Sequence, residues 1–212
     1  MSRKKPSPYN GLVLVDKEVG WTSHDVVAKS RGVLGTRKVG HAGTLDPPAT
    51  GLLLLGVGNM TRLLRFLTAL PKTYVGEVVL GSETDTLDDT GQVTATHDMA
   101  GVTPADVRAA AEDLTGEILQ VPPMVSAIKI DGKRLHELAR EGKEVEREAR
   151  PITIHAFSVG EPVDPGVYPI EVTCSSGTYI RTLAADLGTA LGGGAHLRNL
   201  RRTSAGSFDV AD

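Results

Sequence analysis

The sequence predicts an α+β fold built around a mixed β-sheet. Three observations carry that prediction. Strand-like and helix-like stretches are both present, but they do not alternate strictly, as a doubly wound parallel sheet would require. Two helix starts carry capping signals, one at Ser23 and one at Thr103-Pro104. The chain has 212 residues, 40% hydrophobic and 23% charged, with no internal repeat and no clear linker. That size and composition suit one large globular domain.

The elements follow in order. Residues 11–15 (GLVLV) read as a buried strand. Ser23 caps a helix running to Leu34 and closed by Gly35. Residues 52–57 read as a second strand, and residues 61–70 have helical apolar spacing that Pro71 stops. Residues 73–80 alternate as a strand does, and residues 85–91 form an acidic turn region. Thr103, Pro104 and the acid Asp106 open a helix that ends near Gly116. Residues 125–130 read as a strand entering a turn at Asp131-Gly132, and residues 134–140 as a short helix. Strands are expected at 152–159 and 168–174, and a helix over 179–191 ended by Gly192-Gly193-Gly194. Residues 208–210 form a last strand. The first ten residues are basic and lack an apolar core, so they read as a frayed tail, not a secretory signal, with one domain over 11–212.

Composition narrows the function. The single cysteine, Cys174, rules out a disulfide framework and a multi-cysteine metal site, and points to a reducing, cytoplasmic setting. The longest leucine run, Leu52 to Leu55, is far too short to cross a membrane. Net charge is −3, yet residues 73–107 hold seven acids and no Lys or Arg, so the rest of the chain carries +4. The basic residues gather at 29–38, 62–72, 129–150 and 198–202, which allows either a one-sided basic surface or an ordinary mixed one.

Common sites are missing from the pattern. There is no phosphate-binding P-loop, and Gly56-Val-Gly58 is not completed as a dinucleotide fingerprint. Asp85, Asp88 and Asp89 lack calcium-loop spacing and read as a solvated loop, and the six histidines never fall at zinc spacing. No metal and no cofactor is therefore indicated. Ser126-Ala-Ile-Lys129 matches a serine acyl-transfer pattern by chance, without its companion motifs.

Three stretches could carry chemistry. Gly40-His41-Ala-Gly-Thr-Leu-Asp46-Pro-Pro-Ala-Thr-Gly51 sets an acid on a loop that two prolines stiffen. Asp46 there is either a positioned nucleophile or base, or a turn cap. Arg181 falls in the first turns of a helix, where the dipole disfavours a cation, so it either has a specific anionic partner or is a plain surface residue. Tyr74 opens a strand and either packs in the core or faces a ligand.

Together these stretches resemble the TruB family of tRNA pseudouridine synthases. The residues are Asp16-Lys17 with Gly20-Trp-Thr-Ser23, then Gly40-His-Ala-Gly-Thr-Leu-Asp46-Pro, Thr61-Arg-Leu and Lys72-Thr-Tyr74. Gln120-Val-Pro-Pro, Ser126-Ala-Ile-Lys129, Ala149-Arg-Pro151, Ser176-Gly-Thr-Tyr-Ile-Arg181 and His196-Leu-Arg-Asn-Leu-Arg-Arg-Thr203 follow in the family's order. Glu18 and Pro48 depart from it: the family usually has proline after the Asp-Lys pair and a larger apolar residue in place of Pro48.

The resemblance implies the pseudouridine synthase fold, with a largely antiparallel central sheet, flanking helices and an active-site cleft across the sheet. It also implies the reaction, isomerisation of the T-loop uridine at position 55 of tRNA, without cofactor or metal. Asp46 would be the essential carboxylate, Arg181 its charge partner, and Tyr74 the ring stacked on the uracil. His41 would fill the space left by the flipped base. Lys17, Lys72, Thr73, Tyr179, Lys129, Leu200 and Arg202 would contact the RNA. A monomer is expected. Bacterial members usually add a small C-terminal RNA-binding domain, and the expectation is that this chain, ending at Asp212, lacks it. The rival from another class is a non-catalytic RNA-binding or RNA-folding module, which leaves Asp46 on its stiff loop unexplained. A serine acyl-transferase using Ser126 and Lys129 is a distant third.

Overall fold

The computed structural model describes residues 7–126, 129–130, 133–135, 138 and 145–212, with the side chains of 129, 130, 133 and 134 excepted. The strands are β1 (Gly11–Lys17), β2 (Val39–Ala42), β3 (Thr50–Val57), β4 (Lys72–Leu80), β5 (Ser82–Thr84), β6 (Val93–Thr96) and β7 (Gly116–Gln120). They continue with β8 (Lys129–Ile130), β9 (Lys133–Arg134), β10 (Arg150–Val159), β11 (Val167–Cys174), β12 (Ala195–Ala205) and β13 (Phe208–Asp209). The helices are α1 (Ser23–Val33), α2 (Leu64–Thr68), α3 (Pro104–Asp113) and α4 (Ile180–Ala190). Nine strands form one mixed, mostly antiparallel sheet in the order β1-β3-β12-β4-β11-β10-β7, with β2 on β3 and β13 on β12. This is the expected α+β class.

The chain divides into two compact units, residues 1–75 with 199–212, and residues 76–198. In the first unit β3 is the core strand. Its run of four leucines buries on both faces, which is why it reads as a continuous apolar stretch and not an alternating one. Leu53, Leu55 and Val57 pack with Val26 and Val27 of α1, while Leu52 and Leu54 pack with Ala205 and with Leu64 and Leu67 of α2. The cap of α1 is Thr22, not Ser23: Thr22 accepts from the Asp25 N–H and Asp25 accepts back from the Thr22 N–H, a full capping box. Ser23 is thereby freed for a second task described below.

Register sets the site. Lys17 on β1 lies opposite Gly51 on β3, and Gly51 lies opposite Arg202 on β12. Partners in register point to the same face of a sheet, and the row places two cations either side of a glycine. Gly51 has φ +98°, and a Cβ there would fall 2.1 Å from the Arg202 carbonyl oxygen. Asp16 and Arg201, one residue before in each strand, pair on the other face through two bonds of 2.9 and 2.7 Å.

In the second unit α3 starts with the expected Thr103 cap, Pro104 and Asp106, again as a capping box, and packs on β10 and α4. The expected strands at 73–80, 152–159 and 168–174 are β4, β10 and β11, each longer by one or two residues. Three expectations change. The helical stretch 61–70 is a 3-10 turn over Gly58–Leu63 followed by the five-residue α2. Among the described residues of 125–130, Lys129–Ile130 is strand and 125–126 is not, while residues 127–128 and the turn at Asp131-Gly132 lie outside the described residues. Of the helix expected over 134–140, only Leu135 and Leu138 are described as helical. No helix among the described residues is long and apolar enough to cross a membrane.

Candidate active site

Asp46 lies on the seven-residue loop 43–49 between β2 and β3. His41, expected on that loop, is instead part of β2, paired in register with Leu55. The loop is fastened along its length. Ser23 Oγ donates to the Leu45 carbonyl at 3.2 Å and accepts from the Leu45 N–H at 2.9 Å. The Gly20 N–H donates to the Pro47 carbonyl at 2.8 Å, and the Ala49 N–H to the Asp46 carbonyl at 3.1 Å. Arg202 Nη2 donates to the Gly43 carbonyl at 3.2 Å. Leu45 and Ala49 are buried on either side of Asp46. A half-buried carboxylate is thus carried by a backbone with little freedom left, which is the condition for positioned chemistry.

Beneath the loop lies an unusual charge. Lys17 is only 1% exposed. Its Nζ donates to the carbonyls of Trp21 (2.7 Å), Glu18 (3.0 Å) and Pro47 (3.3 Å), one acceptor for each of its three hydrogens. Burial lowers its pKa; the negative charge of Asp46 acts the other way, and Arg202 adds to the lowering. The ammonium therefore ties the turn after β1 to the loop and presents a buried positive charge to Asp46.

Arg202 is equally buried, at 1%. Its Nε donates to the Leu52 carbonyl at 2.7 Å. Its Nη1 has no partner and lies 3.3 Å from the place a Gly43 Cβ would occupy, as does Lys72 Cε. Lys72, also buried, donates to the Thr68 and Leu70 carbonyls at 2.8 and 2.6 Å and closes the end of α2. The His41 ring bonds to the Gly43 backbone and meets the His24 ring edge-on at 5.7 Å. Burial first, then His24 and Arg202, lowers its pKa; the bond to Gly43 opposes this. Tyr74 on β4 is 9% exposed, the Thr73 carbonyl accepts from Thr203 Oγ1 at 3.3 Å, and Leu200 is half-buried on β12. In the first unit, then, Lys17, His41, Asp46, Lys72 and Arg202 gather around one loop.

In the second unit Arg181 opens α4 and is 4% exposed. Its Nη1 donates to the Thr86 carbonyl at 2.7 Å, its Nη2 to the Val125 carbonyl at 2.8 Å, and its Nε lies 3.7 Å from Asp88 Oδ2. Arg181 is therefore not a plain surface residue, and its anionic neighbour within this unit is Asp88. It also corrects the reading of the acidic turn: Asp88 is buried, not solvated. Its Oδ1 accepts from Thr86 Oγ1, the Thr90 N–H and Thr90 Oγ1 at 2.7, 3.0 and 2.5 Å. The segment is anchored to β12, since the Asp89 N–H donates to the Leu197 carbonyl and the Leu197 N–H to the Leu87 carbonyl, both at 3.0 Å. Tyr179 caps α4, and Gln120, 2% exposed, holds its backbone from both sides, accepting from its N–H at 2.8 Å and donating to its carbonyl at 3.2 Å. The side chain of Lys129 lies outside the described residues.

Asp88, Gln120 and the bracing role of Ser23 escape a reading by residue type. Asp88 sits among acids that look solvated, and Ser23 looks like a cap. Only the alternation of Thr86, Asp88 and Thr90 hints at a hydroxyl-lined carboxylate. Among the described residues no group of three His, Cys, Asp or Glu is placed to hold a metal.

Comparison with known proteins agrees with this layout. The model for the N-terminal domain of the TruB family pseudouridylate synthases matches residues 31–180, and the model for the tRNA pseudouridylate synthase B C-terminal domain matches residues 181–212. The tRNA pseudouridine synthase B of Arthrobacter sp. (strain FB24) is 54% identical over 206 residues, covering 95% of this chain and 67% of the relative. That of Rhodococcus jostii (strain RHA1) is 51% identical over 216 residues, covering 99% and 71%. Among solved structures, a chain of a Cbf5-Nop10-Gar1 complex superposes with a TM-score of 0.72 at 32% identity over 94% of this chain, which spans 50% of that chain's length. A crystal structure of a pseudouridylate synthase shares the fold with a TM-score of 0.50 at 18% identity, over 95% of this chain and 65% of that one. An acid on a braced loop, on the fold of these enzymes and with relatives more than half identical, makes the chain a member of the TruB family of pseudouridylate synthases, which are isomerases.

Proposed function

We propose that this chain converts the uridine at position 55 of the tRNA T-loop to pseudouridine, with Asp46 as the essential carboxylate. The single observation that carries the proposal is the fastening of loop 43–49 over the buried ammonium of Lys17. The names of the relatives support tRNA as the substrate. The reaction breaks the bond between ribose C1′ and uracil N1, turns the uracil and joins C1′ to C5; the C5 proton leaves to solvent and N1 takes up one proton. Atoms balance without an added group, so the protein has to supply position and charge.

Asp46 attacks, or accepts a proton, as an anion. Lys17 favours that anion without competing for the reacting face, because its three hydrogens already point at carbonyls. Arg181, held by Thr86, Val125 and Asp88, is the proposed second cation serving the carboxylate. Tyr74 is proposed to stack on the extruded uracil, and His41 to occupy the vacated space. Extrusion costs a few kcal/mol, which contacts to the RNA backbone would offset. Lys72 and Arg202 act by shaping the loop from inside, their buried groups being bonded to carbonyls.

The test is incubation of the chain with a T-arm hairpin RNA, without metal or nucleotide, followed by mapping of pseudouridine by carbodiimide adducts and primer extension. A new stop at the T-loop uridine is expected. RNA that binds and is never modified would favour the binding-module alternative.

A further inference from the structure

The turn that joins β1 to α1 exposes the only tryptophan of the chain. Trp21 is 41% exposed, beside Val19 at 66%. It lines an open cleft of about 620 Å³ with Val19, Gly20, Asp25, Ala28 and Lys29. A smaller cavity of about 240 Å³ shares Trp21 and Lys29 with it. An exposed indole in an open cleft is unusual, because burying so large an apolar ring is normally favourable. Its position is also not arbitrary. The Trp21 and Pro47 carbonyls accept from the same Lys17 ammonium, and the Gly20 N–H donates to Pro47, the residue after Asp46. The cleft is therefore tied directly to the loop that carries the carboxylate.

The cleft is lined by one cation, Lys29, and one carboxylate, Asp25. Asp25 is already used, accepting from the Thr22 N–H and hydroxyl at 2.9 and 2.6 Å. Asp16, on the smaller cavity, is paired with Arg201. Lys29 makes no ion pair among the described residues, so its charge is open to solvent, and Glu18 lines only the smaller cavity. An exposed aromatic face next to an unpaired cation, in a cleft large enough for one nucleoside, matches how proteins hold single nucleotides: the base stacks and the phosphate meets the cation.

We propose that Trp21 is a stacking platform for an unpaired nucleobase flanking the target uridine, and that Lys29 meets a phosphate of the same nucleotide. This rests on the function proposed above and names a second contact point on the same RNA. It gives a use to the exposed ring of Trp21, which the catalytic reading leaves idle.

The test needs no variant to begin. Trp21 is the sole indole, so intrinsic fluorescence reports it alone. Titration with the T-arm hairpin should quench the emission with the same midpoint as a filter-binding titration. Trp21→Ala should raise KM for the hairpin about tenfold, with the loss in KM and not in kcat, while Trp21→Phe restores most of it. Lys29→Gln should lower the salt slope of binding by about one. Binding by the wild-type chain with silent fluorescence, and an unchanged KM for Trp21→Ala, would overturn the platform and leave the proposed reaction standing. Failure of the wild-type chain to bind the hairpin at all would overturn both.

Discussion

Lys17 shows how one residue serves fold and chemistry together. A buried ammonium is expensive unless every hydrogen finds an acceptor, and here all three do. Lys17→Met should lower unfolding stability by about 2–4 kcal/mol in urea titration, and should reduce kcat by loosening Pro47 next to Asp46. His41 makes a prediction of a different kind. Its pKa is lowered in the folded state, so the unfolded chain binds the proton more readily. The associated stability is present above the ordinary histidine pKa of about 6.5 and is lost as pH falls below it. Thermal melts from pH 7.5 down to about 5.5 should therefore show a decline that His41→Gln reduces; equal slopes for both proteins would contradict this. At this scale Asp46 was legible, because two prolines and three nearby glycines announce a stiff loop. Its braces were not. Lys17 and Arg202 look like surface cations in sequence, since nothing in a residue's type says that its charge will be turned inward onto carbonyls.

At the scale of elements, the row Lys17–Gly51–Arg202 fixes β1, β3 and β12 against one another. Gly51 has a positive φ and backbone of Arg202 where a side chain would go. Gly51→Ala should destabilise the chain by about 3–5 kcal/mol, combining backbone strain with a displaced β12, and urea denaturation would read it. A value under about 1 kcal/mol would mean that the row can shift without harm. The helices with caps and closing glycines were legible to within one to three residues, as α1, α3 and α4 show. The strands were legible where apolar runs fill them, as in β3 and β11. The eleven-residue β12 was hidden because four of its residues are Arg or His, and β2 and β7 because four and five residues hold too little pattern. In β12 it is register and hydrogen bonding to neighbours, not hydropathy, that makes the strand.

Over the whole molecule, net charge of −3 is a poor guide to RNA binding. Several acids of the 73–107 segment are occupied internally. Glu77 pairs with Arg198 at 2.5 Å, Glu83 meets His97 at 2.6 Å, Asp88 neighbours Arg181, and Asp106 completes a capping box. Such acids repel a phosphate backbone less than their number suggests. RNA affinity should then fall steeply with salt, by at least about tenfold between roughly 50 and 200 mM, if several phosphates are contacted. A flat salt response would mean that shape alone holds the RNA. The most direct measurement follows tritium release from a T-arm hairpin labelled at uridine C5, comparing the wild-type chain with Asp46→Asn. This substitution removes the charge and keeps the shape of the loop. Release by the wild-type chain and none by Asp46→Asn is expected, with hairpin binding unchanged. Release by Asp46→Asn at the wild-type rate would contradict Asp46 as the essential carboxylate.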